Sequence, residues 1–261
     1  MTASTSHIVT DVSERILRIG IDRPEKKNAL TVAMYAELAA ALDRAAGDPA
    51  VRVVLIHGHP QAFTSGNDLA DFRSPPPTPA AEERPVLRFL RAISSAPKPI
   101  VAAVTGPAVG VGTTMLLHCD LVYAGEGARF QLPFVNLGLV PEAASSLLLP
   151  ATLGYQRAAE LLLLGEPFSA SKARDHGIVT AVVADDQVLA AATAAAHKLA
   201  AQPPSAIRLT KKLMKQATAE AVAVRIGEES EHFGSRLVSP EAAEAFKAFA
   251  EKRPPDFSRF D

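Results

Sequence analysis

Two runs of small residues, Ala62-Phe63-Thr64-Ser65-Gly66-Asn67-Asp68-Leu69 and Gly106-Pro107-Ala108-Val109-Gly110-Val111-Gly112-Thr113-Thr114, each stand where a strand should give way to a helix. A backbone that turns sharply at two such places can aim two N–H donors at one point. Donors so placed stabilise the oxyanion formed when a thioester carbonyl is enolised or attacked. Chemistry there also needs a proton carrier, and Glu142 is the best candidate. It lies in Leu137-Gly138-Leu139-Val140-Pro141-Glu142-Ala143-Ala144-Ser145-Ser146, just ahead of Leu147, Leu148 and Leu149. So apolar a setting strips water from a carboxylate and raises its pKa towards the range useful to a general base. A second role also fits: Glu142 as a negative charge opening the helix expected from Ser145, where the helix dipole favours it.

Other constellations carry less. Gly110-Val111-Gly112 begins like a dinucleotide fingerprint, but Met115 replaces the third glycine and no acidic residue closes a following strand in the expected way. Neither Gly-Lys-Ser nor Gly-Lys-Thr occurs, which removes a Walker loop. His118, Cys119 and Asp120 are consecutive, so their side chains diverge and read as core packing rather than a triad. His57, His59, His176, His197 and His232 show no metal-ligand spacing, and no metal is expected.

The elements that must hold these loops follow from apolar periodicity. Leu17, Ile19 and Ile21 alternate as a strand over 15–22; Met34, Leu38 and Leu42 recur as a helix from Thr31 to about Gly47; 51–57 reads as a buried strand. The proline-rich stretch 74–79 reads as a loop, followed by a helix over 81–95. A strand over 99–104 enters the second glycine loop, an apolar helix runs on through Leu117, and 120–124 is the next strand. Beyond Pro141 the pattern is mainly helical, over 145–153, 155–164, 169–176, 186–201 and 203–216. A last helical stretch over 220–252 is broken near Gly234 and at Ser239-Pro240. Strand, small-residue turn and helix in repeated order predict an α/β core of stacked units.

Composition fits one sizeable globular body. The 261 residues are 48% hydrophobic, and 27 Lys+Arg against 28 Asp+Glu leave a net charge of −1. No global field therefore draws nucleic acid or an anionic membrane, and neither is an expected partner. The single cysteine, Cys119, rules out an internal disulfide and suits a reducing, cytoplasmic setting. The N-terminal residues lack a leader pattern, and no run of about 18 apolar residues offers a membrane span.

Arg23-Pro24-Glu25-Lys26-Lys27-Asn28-Ala29-Leu30, the two glycine loops and Phe249-Ala250-Glu251-Lys252-Arg253 resemble, in order and separation, the landmarks of the crotonase, or enoyl-CoA hydratase/isomerase, superfamily. The resemblance spans almost the whole chain. It implies a spiral of ββα units over 1–200 as an acyl-CoA-binding core, with a helical C-terminal region over 201–261 that assembles homotrimers or homohexamers. The substrate would be an acyl-CoA thioester, with coenzyme A as part of that substrate and no separate cofactor. By the same resemblance the oxyanion-hole N–H groups belong to Asn67 and Val111. Ala62 and Ser65 would meet the adenine through backbone groups, Lys26 and Lys27 the phosphates, and Lys252 with Phe249 the nucleotide of an adjacent subunit. A solvated surface position is the other reading for each lysine, and simple tight turns the other reading for Gly66, Gly110 and Gly112.

One departure from the family pattern narrows the chemistry. Hydratases of this family activate water with two glutamates, and those places here hold Thr114 and Phe134, neither of which takes up a proton. The segment around Glu142 is similar to the peroxisomal type of Δ3,Δ2-enoyl-CoA isomerase, in which a glutamate after a proline shuttles the proton. Isomerisation of a 3-enoyl-CoA is therefore expected. The alternatives are a hydratase in which Glu142, with Asp68, positions water, and a noncatalytic acyl-CoA-binding protein.

Overall fold

The computed structural model of the chain describes residues 6–73 and 84–260. The expected proline-rich loop, the start of the helix expected from 81 and the first five residues lie outside them. The main sheet contains strands β1 (Ile8–Ser13), β2 (Ile16–Ile21), β3 (Val53–His57), β4 (Ile100–Val104), β6 (Leu121–Gly125) and β9 (Ala181–Val183), ordered β1-β2-β3-β4-β6-β9. Only the β1–β2 pair is antiparallel. A second sheet sets β5 (Pro107–Val109) beside β7 (Arg129–Gln131) in parallel, and β7 against β8 (Phe168–Ser169).

Strand alternation sorts the apolar side chains into two layers. Leu17, Ile19, Val54, Ile56, Ile100, Ala102 and Val104 face the larger core. Ile16, Val53, Leu55, Val101 and Ala103 face Val188, Ala192 and Ala196 of helix α8 (Val188–Ala200). Because β3 and β4 are covered on both faces, they are nearly continuous apolar runs, as buried parallel strands are, whereas β2 is interrupted by Arg18 and Gly20. Helix α1 (Val32–Gly47) closes the larger core; it starts at Thr31, whose side chain accepts the Met34 N–H at 3.3 Å. Tyr35 of α1 packs on Phe89 of α3 (Pro85–Ser95), ring centroids 5.6 Å apart.

Further helices are α2 (Leu69–Arg73), α5 (Ser145–Leu153), α6 (Tyr155–Ala159), α7 (Ala170–Asp175) and α9 (Pro204–Gln216). The α/β architecture with a helical C-terminal region agrees with the expectation, while several elements differ from it. Strands β1, β5, β7, β8 and β9 were not foreseen: β1 (Ile8-Val9-Thr10-Asp11-Val12-Ser13) lacks a clean alternation and is exposed over most of its length, and the rest are two or three residues long. The helix expected through Leu117 is the single turn α4 (Val111–Thr114) followed by a tighter turn, Met115–His118. Helix α10 (Ala219–Leu237) runs unbroken through Gly234, because Ile226 and Val222 anchor it to the main core; only Ser239-Pro240 interrupts, and α11 (Pro240–Glu251) follows.

Candidate active site

The first loop is tied down by Asn28. Fully buried, its side-chain amide donates to the carbonyls of Ile21 (2.9 Å), Ala62 (2.8 Å) and Phe63 (3.2 Å), while its oxygen accepts the Arg23 N–H at 2.7 Å. The end of β2 and the first glycine loop thus share one clamp. The Thr64 hydroxyl donates to the Asn28 carbonyl at 2.7 Å and accepts from the Gly66 N–H at 3.1 Å, which shapes the turn into Asn67.

The two loops then zip together. Thr64 N–H donates to Pro107 O at 3.1 Å, and Val109 N–H donates to Thr64 O at 3.0 Å. Gly110 heads α4 with φ 56° and ψ −118°, a conformation that a side chain disfavours. Gly112 lies so close to the first loop that a Cβ there would stand 2.6 Å from Thr64 Cγ2. Among the described residues, neither the Asn67 nor the Val111 N–H donates to a protein acceptor. Both amides flank the zipped segment, and the α4 dipole adds partial positive charge at Val111.

Glu142 lies beyond β7, past a turn at Val135–Leu137. It is 5% exposed, and its Oε1 is buried without a hydrogen-bond partner. Burial first, and then the charge of Glu229, raise its pKa to about 8. Tyr35 reaches towards both halves of the site: its hydroxyl donates to Asn67 Oδ1, and burial together with the Glu142 charge raises its own pKa well above the ordinary value. Thr114 is fully buried with an unpartnered hydroxyl, and Phe134 is buried with its ring edge-on to Phe233, centroids 6.5 Å apart.

The remaining sequence candidates divide into two groups. Lys27 and Ala62 line one cavity of about 270 Å³ with Pro24, His59, Gln61 and Pro107. Lys26 and Ser65 adjoin it: Ser65 N–H donates to Lys27 O at 3.0 Å and Ser65 Oγ to Lys26 O at 3.4 Å. The Ala62 backbone is already engaged, its N–H with His59 O at 3.0 Å and its carbonyl with Asn28. Phe249 and Lys252 belong to the end of α11 and are exposed, Lys252 as its left-handed cap, and neither lines that cavity. Sequence reasoning missed Tyr35 and Glu229. Glu229 carried a usable signal, since Val222, Ile226, Glu229 and Phe233 fall on one helical stripe.

The site therefore combines two free amides on zipped loops with one desolvated carboxyl. A family model described as enoyl-CoA hydratase/isomerase matches residues 11–259. Over 254 residues the chain is 33% identical to a 2,3-dehydroadipyl-CoA hydratase of Escherichia coli strain K12, covering 97% of this chain and 98% of that one. It is 36% identical over 245 residues to enoyl-CoA delta isomerase 2 of Rattus norvegicus, covering 92% of this chain and 62% of that one. Among solved structures, an enoyl-CoA hydratase/isomerase from Pseudoalteromonas atlantica T6c shares 43% identity with a TM-score of 0.93, covering 97% of this chain and 100% of that one.

Proposed function

The chain belongs to the enoyl-CoA hydratase/isomerase family, and we propose that it shifts the double bond of a 3-enoyl-CoA to the 2-position. The observation that supports this reading is Glu142: a buried carboxyl with one oxygen free and a pKa of about 8, while Thr114 and Phe134 stand where the family's hydratases carry acids. As carboxylate, Glu142 removes a C2 proton. The C–H electrons become the C1–C2 bond of an enolate, whose oxygen accepts the Asn67 and Val111 N–H groups. Collapse of the enolate restores the carbonyl, places the double bond between C2 and C3, and draws the same proton from Glu142 to C4. One carboxyl serves both transfers, and no water enters.

A hydratase using Asp68 as a second acid fits less well. Asp68 is paired with Arg23 at 2.7 Å and accepts the Ala70 N–H at 3.0 Å. Burial pulls its pKa upward, yet the Arg23 hydrogen bond, the Ala70 amide and the Arg23 charge hold it below its usual value. A carboxylate so held is a poor proton donor.

On this reading the ligand is an acyl-CoA thioester, with Lys26, Lys27, Ala62 and Ser65 near its nucleotide end. Exposed Leu213, Met214 and Val238 support assembly of trimers, or of hexamers from them, in which Phe249 and Lys252 meet a neighbour's nucleotide. No helix among the described residues is long and apolar enough to cross a membrane, and the lone Cys119 suits a cytoplasmic setting. The test is ultraviolet absorbance of the conjugated enoyl thioester. Incubation with 3-hexenoyl-CoA should make that band grow; rapid loss of the band from crotonyl-CoA, without growth from 3-hexenoyl-CoA, makes the protein a hydratase.

A further inference from the structure

Glu142 is followed by two non-glycine residues in the left-handed region, Ala143 at φ 61° and Ala144 at φ 56°. Left-handed backbone with a side chain is strained and persists only where its surroundings hold it. The surroundings here are specific. Ala143 O accepts from His118 Nε2 at 2.8 Å, and burial, against that hydrogen bond, lowers the His118 pKa to about 4, so the ring is a neutral donor at pH 7. On the other side stands Glu229, 5% exposed, on α10. Its Oε2 accepts the Ala144 N–H at 2.6 Å, and its Oε1 accepts the Ser146 N–H at 3.0 Å and the Ser146 hydroxyl at 2.6 Å. The Ser145 N–H and hydroxyl return to the Glu142 carbonyl at 3.1 and 2.7 Å. Every one of these bonds grips the backbone or side chains of residues 142–146, and none restrains Glu142 Oε1, which stays unpartnered.

We propose that Glu229 is a positioning residue for the proton carrier, its carboxylate bracing the left-handed turn that presents Glu142 to the substrate. The inference rests on the proton-shuttle reading of Glu142. Burial raises the Glu229 pKa above its usual value, while the Ser146 hydroxyl, the Ser146 and Ala144 amides and the Arg225 charge favour its ionised form. Arg225, one turn earlier on α10, supports that charge and donates to Ser146 Oγ at 3.2 Å. After desolvation, Glu229 is the main reason that Glu142 holds its proton to so high a pH. The other titratable groups facing this turn are Tyr35 from α1 and His118 from the turn before β6, both neutral at pH 7. Glu229 thus has two effects on Glu142, one steric and one electrostatic, and they separate experimentally.

Glu229→Gln keeps the shape but removes the charge and one acceptor. Its kcat should fall about tenfold or more with KM for the CoA ester within about twofold, the pattern of a misplaced catalytic group. The acid limb of kcat/KM should move down by about one pH unit, because the repelling charge is gone. Glu229→Asp should restore the limb without fully restoring kcat. The Glu142 titration is also read without turnover, from the pH dependence of the stability difference between parent and Glu142→Gln in each background, so failure of the isomerase assignment does not obscure it. Glu229→Gln with kcat within twofold of wild type, or with a lowered Tm and an unmoved limb, overturns the proposal. Should that variant not fold, Glu229→Asp and Ser146→Ala carry the test. A fall in kcat of about threefold at constant KM in Ser146→Ala supports bracing, and unchanged kcat in both refutes it.

Discussion

Replacing Glu142 with Gln separates what its carboxyl does for catalysis from what it costs the fold. Gln keeps the shape and cannot ionise. The Glu142 pKa of about 8, against an ordinary value of 4.5, means that the folded chain keeps a proton which the unfolded chain releases between those two pH values. The folded state then binds more protons than the unfolded one, so this group makes stability fall as pH rises through that window. At about 1.4 kcal/mol per pH unit the loss is about 3 kcal/mol by pH 7 and about 5 kcal/mol once the folded-state pKa is passed. Any fixed offset from the Gln amide cancels when two pH values are compared. The unfolding free energy of the variant minus that of wild type should therefore grow by about 1 kcal/mol between pH 7 and pH 9. Isomerisation of 3-hexenoyl-CoA should meanwhile fall by about a thousandfold, with CoA-ester binding retained. In the wild type kcat/KM should climb with pH and level off above about 8, since the base form does the work. Urea denaturation across pH 5 to 9, beside initial rates, checks both halves. Near-normal turnover in the variant, or a stability difference flat in pH, refutes the reasoning.

Gly112→Ala would push a Cβ to 2.6 Å from Thr64 Cγ2 and 3.0 Å from Thr64 O, parting the zipped loops and displacing the Val111 amide. Its kcat should drop by about a hundredfold, the effect of losing one oxyanion donor, and steady-state kinetics with a ground-state ligand titration will show whether binding survives. Tyr35→Phe removes the hydroxyl that orients the Asn67 side chain. A several-fold loss of kcat at constant KM is expected, with unchanged kinetics counting against a role for α1 in the site. Asn28→Ala strips the partners from the Ile21, Ala62 and Phe63 carbonyls and the Arg23 amide at once. It should cost about 3 kcal/mol by chemical denaturation and weaken CoA-ester binding, because the same clamp shapes the wall of the Ala62 cavity.

What the sequence discloses depends on whether a contact is local. The strands that form the centre of the sheet are legible because their apolar runs are buried on both faces, and α1 is legible from its Thr31 cap and the Met34, Leu38, Leu42 spacing. The glycine loops are legible because sharp turns demand small residues. Strands β5, β7 and β8 are not, since pairs as short as Phe168 and Ser169 exist only through their partners, as when Phe130 stacks on Phe168 with centroids 5.6 Å apart. Glu142 stands out through the apolar residues around it. Glu229 is marked in sequence only as an acid on the apolar stripe of α10, and its role stays hidden because it depends on α10 crossing to a turn 83 residues earlier in the chain, at Ser146. Tyr35 is hidden for the same reason, its polar tip being indistinguishable in sequence from the rest of the apolar face of α1.

Several costly features belong to the candidate site or the turn that presents Glu142. Two left-handed alanines, an unpartnered Glu142 oxygen and an unpartnered Thr114 hydroxyl are all buried. Each departs from what stability alone would favour, and such departures concentrate where function requires them. Phe134 shows the opposite choice, because its ring packs on Phe233 at a place where a carboxylate would need a partner that the apolar surroundings do not supply. With apolar packing there, the charge that adds to burial in raising the Glu142 pKa is that of Glu229. With the Ser146 and Ala144 bonds and the Arg225 charge favouring ionised Glu229, the step that governs turnover is the Glu142 titration, shifted by the Glu229 charge rather than split with a second acid at position 134. The pH profile of the wild type should accordingly show a single acid limb, and a second limb of comparable amplitude below pH 8 would mean that another acid shares the proton.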